Sequence, residues 1–111
     1  MRMRIKVITM VLGLGLMGLW VVKSLAADAA AGKAVYEKSC VGCHAADGKG
    51  NPAMAKIFGD KNLNIIDKET KQKSDEQLLK VIAEGAGKMP ASKLSKDEQK
   101  QVLMYVRSLA K

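Results

Sequence analysis

Histidine and cysteine are nearly absent from this chain: 111 residues hold one His and two Cys. A structural zinc site normally takes four such ligands, so a total of three argues against one. A second histidine ligand to any metal held by His44 is excluded outright. Aromatic residues are scarce too, and past the N-terminal leader only Tyr36, Phe58 and Tyr105 remain. A domain of about 85 residues with so few is marginal without a staple, metal or cofactor. No stripe of clustered Arg and Lys with interleaved aromatics is present, which argues against a nucleic-acid partner. No strong strand pattern precedes the cysteines, as a thioredoxin-like redox pair would need.

The three scarce residues stand together, in Cys40-Val41-Gly42-Cys43-His44. C-x-x-C-H is the attachment pattern for c-type haem. Two thiols three residues apart project from one helical turn, where each can bond a vinyl group of the same porphyrin. His44 follows, placed for an imidazole nitrogen to ligate the iron. A disulfide across so short an interval would stabilise little, and it leaves His44 unexplained. One motif implies one covalent haem c with its iron, a flat apolar body at the centre of the core.

The leader has a basic start, Met1-Arg2-Met3-Arg4-Ile5-Lys6, an apolar run from Val7 to Val22, then small residues in Ser24-Leu25-Ala26-Ala27-Asp28-Ala29. That order is a secretory signal peptide. The expected division is a signal peptide over 1–26, cut at about 26–29, and a haem domain over 27–111. The competing reading is a retained anchor, but the run is short against the about 20 residues of a spanning helix. Bacterial c-type haem is attached outside the cytoplasmic membrane, so export and motif agree on a periplasmic location, with no membrane contact after cleavage.

The formal charge of +8 falls on processing, because Arg2, Arg4, Lys6 and Lys23 leave and no acidic residue does. The 19 basic residues less those 4 leave 15 against 11 acidic ones, a balance of +4. Lysines near the haem edge are expected to steer redox partner proteins with acidic docking surfaces. A monomer is expected.

Helical signals dominate the domain. A first helix is expected from about Ala29 to Ser39, with Asp28 as N-cap. Gly32 inside it is costly by propensity and points to close packing against another helix. Residues 45–62 read as a loop, with room for a short turn of helix at Met54 to Phe58. Asp67 to Lys73 reads as a solvated charge run. Ser74-Asp75-Glu76-Gln77 has the form of a capping box opening a helix to Glu84, stopped by Gly85. Ala86 to Leu94 is a loop. Ser95-Lys96-Asp97-Glu98 is a second capping box, opening a last helix to about Ala110, with Val102, Tyr105, Val106 and Leu109 on one apolar stripe.

With one histidine, the sixth iron ligand is a Met, a Lys, a water or nothing. Met54 lies only ten residues past His44. Met104 sits within the last helix, where packing is its expected role. Met89 lies on the loop between two helices, with Pro90 stiffening its exit, and is the favoured ligand. A ligating histidine usually donates its other N–H to an acceptor. The Pro52 carbonyl, on the loop after the motif, is the expected one, although a plain turn proline explains Pro52 as well.

These segments together resemble the small bacterial class I cytochromes c. The match covers essentially the whole domain: Gly32-Lys33-Ala34-Val35-Tyr36, the haem motif, Asp47-Gly48-Lys49-Gly50-Asn51-Pro52, Gly87-Lys88-Met89-Pro90 and Tyr105-Val106-Arg107-Ser108-Leu109. The resemblance implies an all-α fold of short helices wrapped around one covalent haem, with the first and last helices crossing at Gly32, Tyr36 and Tyr105. It implies thioethers at Cys40 and Cys43, axial ligands His44 and Met89, and a proline carbonyl, that of Pro52, on the histidine. The interval from Met89 to Leu94 is shorter than in many relatives, a departure that falls on the surface beside the haem edge. The implied function is not enzymatic: a one-electron carrier between a membrane complex or dehydrogenase and a terminal oxidase or reductase. Alternatives are an electron-transfer subunit of a single enzyme complex and a haem-based gas-binding or sensing protein. A di-haem peroxidase would need a second motif, and the four-helix gas-binding type carries its motif near the C-terminus.

Overall fold

The computed structural model describes residues 19–110, and the side chains of 27–110. The leader's basic start and most of its apolar run lie outside the described residues. Seven helices follow one another: α1 (Leu19–Ser39), α2 (Val41–His44), α3 (Pro52–Phe58), α4 (Asp60–Leu63), α5 (Lys68–Gln72), α6 (Asp75–Glu84) and α7 (Lys96–Leu109). No strand forms among the described residues, and the expected all-α class is observed. No helix among them is long and apolar enough to cross a membrane.

The first helix differs from expectation at its start. Asp28 is not an N-cap but lies inside α1. The surrounding Ala26, Ala27, Ala29, Ala30 and Ala31 are the strongest helix formers, so nothing in this stretch stops the helix. α1 packs against α7, and Gly32 sits where they meet. A methyl group at Gly32 would overlap the Gln101 carbonyl and stand 3.0 Å from the Tyr105 Cβ. The same crossing stacks Tyr36 on Tyr105, with ring centroids 5.2 Å apart and planes tilted by 59°. Tyr36 and Val102 are the most deeply buried side chains, joined by Leu63, Leu78 and Leu103. Leu103 lies outside the stripe read from the sequence.

The second half is built from capped helices. In α6 the Ser74 hydroxyl accepts from the Gln77 amide while the Gln77 side chain accepts from the Ser74 amide, the full reciprocal box. At α7 the Ser95 hydroxyl accepts from the Glu98 amide, but the Glu98 carboxylate accepts from the Ser95 hydroxyl rather than from the Ser95 amide. The charge run expected as plain surface contains α5. Asp67 caps it by accepting from the Thr70 amide, and Thr70's hydroxyl and amide hold the Asp67 carboxyl below the usual range.

Arg107, on α7, ties this region together. Its guanidinium donates to the Asp75 carboxylate at 2.9 and 3.1 Å, and to the carbonyls of Lys73 at 2.6 Å and of Thr70 and Lys71 at 3.4 Å. A planar fork spreads five donors over acceptors that lie apart, whereas an ammonium has three donors on one nitrogen.

Two stability outcomes follow from these contacts. Gly32→Ala should destabilise the domain by about 2 kcal/mol in denaturant unfolding, because backbone overlap outweighs the about 1 kcal/mol that Ala gains over Gly in a helix. Arg107→Lys should lose most of what Arg107→Ala loses, about 1–2 kcal/mol. Full retention of stability by the lysine variant would contradict the fork.

Candidate functional site

The attachment motif begins where α1 ends. The Cys40 amide closes the last turn of α1 on the Tyr36 carbonyl at 2.8 Å, and the Cys40 carbonyl accepts from the amides of Cys43 and His44 at 3.3 and 3.0 Å. Cys40 is therefore the hinge between α1 and α2, and Cys43 and His44 lie one turn further on. Both cysteines are free and half-buried. Burial, and then the neighbouring Cys43, pushes the Cys40 thiol up. A Cβ added at Gly42 meets nothing within 4 Å, so this position of the motif faces open space.

His44 is oriented by its own hydrogen bond. Its Nδ1 lies 2.8 Å from the Leu63 carbonyl. A carbonyl can only accept, so Nδ1 carries the hydrogen, and in the neutral ring Nε2 is then the nitrogen with the lone pair, the one a metal-ligating imidazole offers. This corrects the expectation for Pro52, whose carbonyl is not the acceptor. Pro52 is the first residue of α3, where its missing N–H costs nothing and its carbonyl is turned into the helical ladder. Leu63 ends α4, and the last carbonyls of a helix have no partner within it.

The loop between the motif and α3 holds Leu63 in place. The Gly50 amide donates to the His44 carbonyl at 2.9 Å, the Asn51 amide to the Cys43 carbonyl at 2.9 Å, and the Asn51 side chain to the Gly42 carbonyl at 3.0 Å. Asn51 also caps α3, accepting from the Ala53 amide. Gly50 has φ of +104°, and a Cβ there would stand 2.9 Å from the Leu63 Cβ. Only glycine suits both the backbone angle and that approach. The loop is anchored on its other side by Tyr36, whose hydroxyl donates to the Ala45 carbonyl at 2.5 Å.

The structure thus brings Cys40, Cys43 and His44 onto one short segment, and places the favoured sixth ligand elsewhere. Met89 is half-buried on the segment between α6 and α7, where the amide and carbonyl of Ala86 and Met89 bond reciprocally at 2.9 and 3.1 Å. Met54 lies within α3 and Met104 within α7. No hydrogen bond joins residues 86–91 directly to the motif among the described residues. Sequence reasoning missed the roles of Leu63, Tyr36 and Asn51. The Asn51-Pro52 pair carried a legible N-cap and N1 signal; a backbone acceptor such as Leu63 carries none.

Two cysteines and a histidine on one short segment, with the histidine oriented through Nδ1, form a donor set that fits covalent haem. Comparison with known proteins agrees. The model of the cytochrome c family matches residues 29–110. Cytochrome c6 of Leptolyngbya boryana is 38% identical over 82 residues, covering 72% of this chain and 91% of the relative. The cbb3-type cytochrome c oxidase subunits FixP of Bradyrhizobium sp. (strain ORS 278) and Bradyrhizobium diazoefficiens are each 38% identical over 86 residues, 74% of this chain. The chain spans 28% of those two relatives. No solved structure matches it. The chain belongs to the cytochrome c family. The matched region is that of a class I c-type cytochrome, the kind that carries covalently bound haem c with its iron.

Burial of Tyr36, followed by the nearby Cys40, raises its hydroxyl well above the ordinary tyrosine range. Up to about pH 10 both folded and unfolded chains hold this proton. Above that the unfolded chain releases it first, so the stability it supports falls by up to about 1.4 kcal/mol per pH unit. Unfolding curves taken above pH 10 should fall more steeply for the parent than for Tyr36→Phe. At neutral pH the variant should be less stable by about 1–3 kcal/mol, because the Ala45 carbonyl loses its donor.

Proposed function

We propose that Cys40 and Cys43 carry the two thioethers, that His44 Nε2 and the Met89 sulfur are the axial ligands, and that the protein is a one-electron carrier rather than a catalyst. The observation that carries this reading is the His44 Nδ1 to Leu63 carbonyl bond, which leaves Nε2 for the iron on the same short segment as both cysteines. A haem iron held there supplies a one-electron couple, whose potential a thioether ligand raises relative to a second nitrogen. With His44 and Met89 both holding the iron, the protein would move electrons with little rearrangement. The leader over 1–26 directs export to the periplasm and is cut at about 26–29, leaving the domain over 27–111. The carrier accepts an electron from a membrane complex or dehydrogenase and delivers it to a terminal oxidase or reductase, with lysines steering it to acidic partners.

A second reading, an electron-transfer subunit within one enzyme complex, is favoured by the identity with the FixP subunits. The two diverge in solution: a carrier separates from membranes and oxidase at moderate salt, whereas a subunit stays with them.

The ligand assignment is tested by spectroscopy of the haem-loaded protein. Met89→Ala should abolish the weak long-wavelength sulfur-to-iron band of the ferric state, while Met54→Ala and Met104→Ala keep it. Retention of the band in Met89→Ala would remove Met89 from the site. Electron-transfer rates to an acidic partner should fall as ionic strength rises from about 0.01 to 0.15 M, since the Debye length shrinks from about 30 to 8 Å over that range. Mass spectrometry of the exported protein locates the cut.

A further inference from the structure

The segment bearing Met89 is joined to α3, and through it to the attachment motif, by the Lys88 side chain. Lys88 Nζ donates to the Ile57 carbonyl at 3.2 Å and lies 6.0 Å from the centre of the Phe58 ring. Ile57 is in the last turn of α3, whose carbonyls have no helical partner and carry the negative end of the helix dipole. The opposite end of α3 is fastened to the motif, because Asn51 caps the helix while bonding the Cys43 and Gly42 carbonyls. On its other side the Met89 segment is hydrogen-bonded to α6. Gly85 ends that helix with φ of +79°, and the Ser92 amide donates to the Ile82 carbonyl at 3.2 Å. α3 therefore forms a strut between the segment holding Cys43 and His44 and the segment holding Met89, and Lys88 is the pin at its far end.

We propose that Lys88 is a positioning residue for the sixth ligand: by pinning residues 86–89 to the C-terminal turn of α3, it holds the Met89 sulfur in place against competing ligands. The proposal rests on the assignment of Met89 as an axial ligand. It concerns the hydrogen-bonding and ring contacts of the ammonium, not its net charge.

The test is displacement of the methionine by added imidazole in the ferric haem-loaded protein, followed by loss of the sulfur-to-iron band. Lys88→Met keeps the apolar stem and removes the donor. It should bind imidazole about threefold to tenfold more tightly than the parent, the range expected for one largely exposed charge-assisted contact. Lys88→Arg, which keeps a donor and a cation over Phe58, should stay close to the parent. Lys100→Met, which removes a charge from α7, should also match the parent. Equal imidazole affinity in Lys88→Met and the parent would overturn the proposal, as would a Lys88→Arg as weakened as Lys88→Met. The two readings fail in different ways. A parent spectrum unchanged by Met89→Ala overturns the ligand assignment and the pin together, whereas an altered Met89→Ala spectrum with an unaltered Lys88→Met affinity overturns the pin alone.

Discussion

The hydrogen bond from the His44 imidazole to the Leu63 carbonyl is the constraint on which the site depends. One acceptor settles which ring nitrogen bears the proton, and so which can meet a metal. It also sets where the chain must go next. Leu63 lies nineteen positions after His44, and the backbone uses that interval to make a loop laced to the motif, a helix capped by Asn51 and a four-residue helix whose end supplies the carbonyl. Gly50 belongs to this arrangement because a side chain there would push Leu63 away from the ring.

The rest of the fold holds that loop steady. α1 and α7 meet closely because Gly32 has no side chain, and their contact buries Tyr36, whose hydroxyl reaches across to Ala45, the residue after the histidine. One aromatic side chain thus joins the helix crossing to the site. Arg107 does a comparable job on the far flank, where it gathers three carbonyls and a carboxylate from α5 and the start of α6.

Much of this was legible in the sequence. The C-x-x-C-H spacing, the caps at Ser74 and Ser95 and the glycine at position 32 each have a local chemical cause, and the elements they imply are present. α1 was read as starting too late because Asp28 resembles a cap, whereas the alanines on either side carry the helix through it. α5 was missed because five residues, Lys-Glu-Thr-Lys-Gln, show no apolar period, although Asp67 and Thr70 had the spacing of a cap. The acceptor for His44 was misplaced on Pro52 because a proline is visible in a sequence and a carbonyl is not. Which backbone oxygen faces a ring depends on where helices end in space, and that is settled by packing.

The second variable position of the motif has a consequence of its own. Gly42 is exposed and has nothing beyond its Cα, while its carbonyl is already engaged by Asn51. Neither the helix nor the loop relies on the missing side chain. Natural variation at this point can therefore dress the rim next to the attachment cysteines with an acid, a base or an oily group, changing what the molecule greets without altering how it is built.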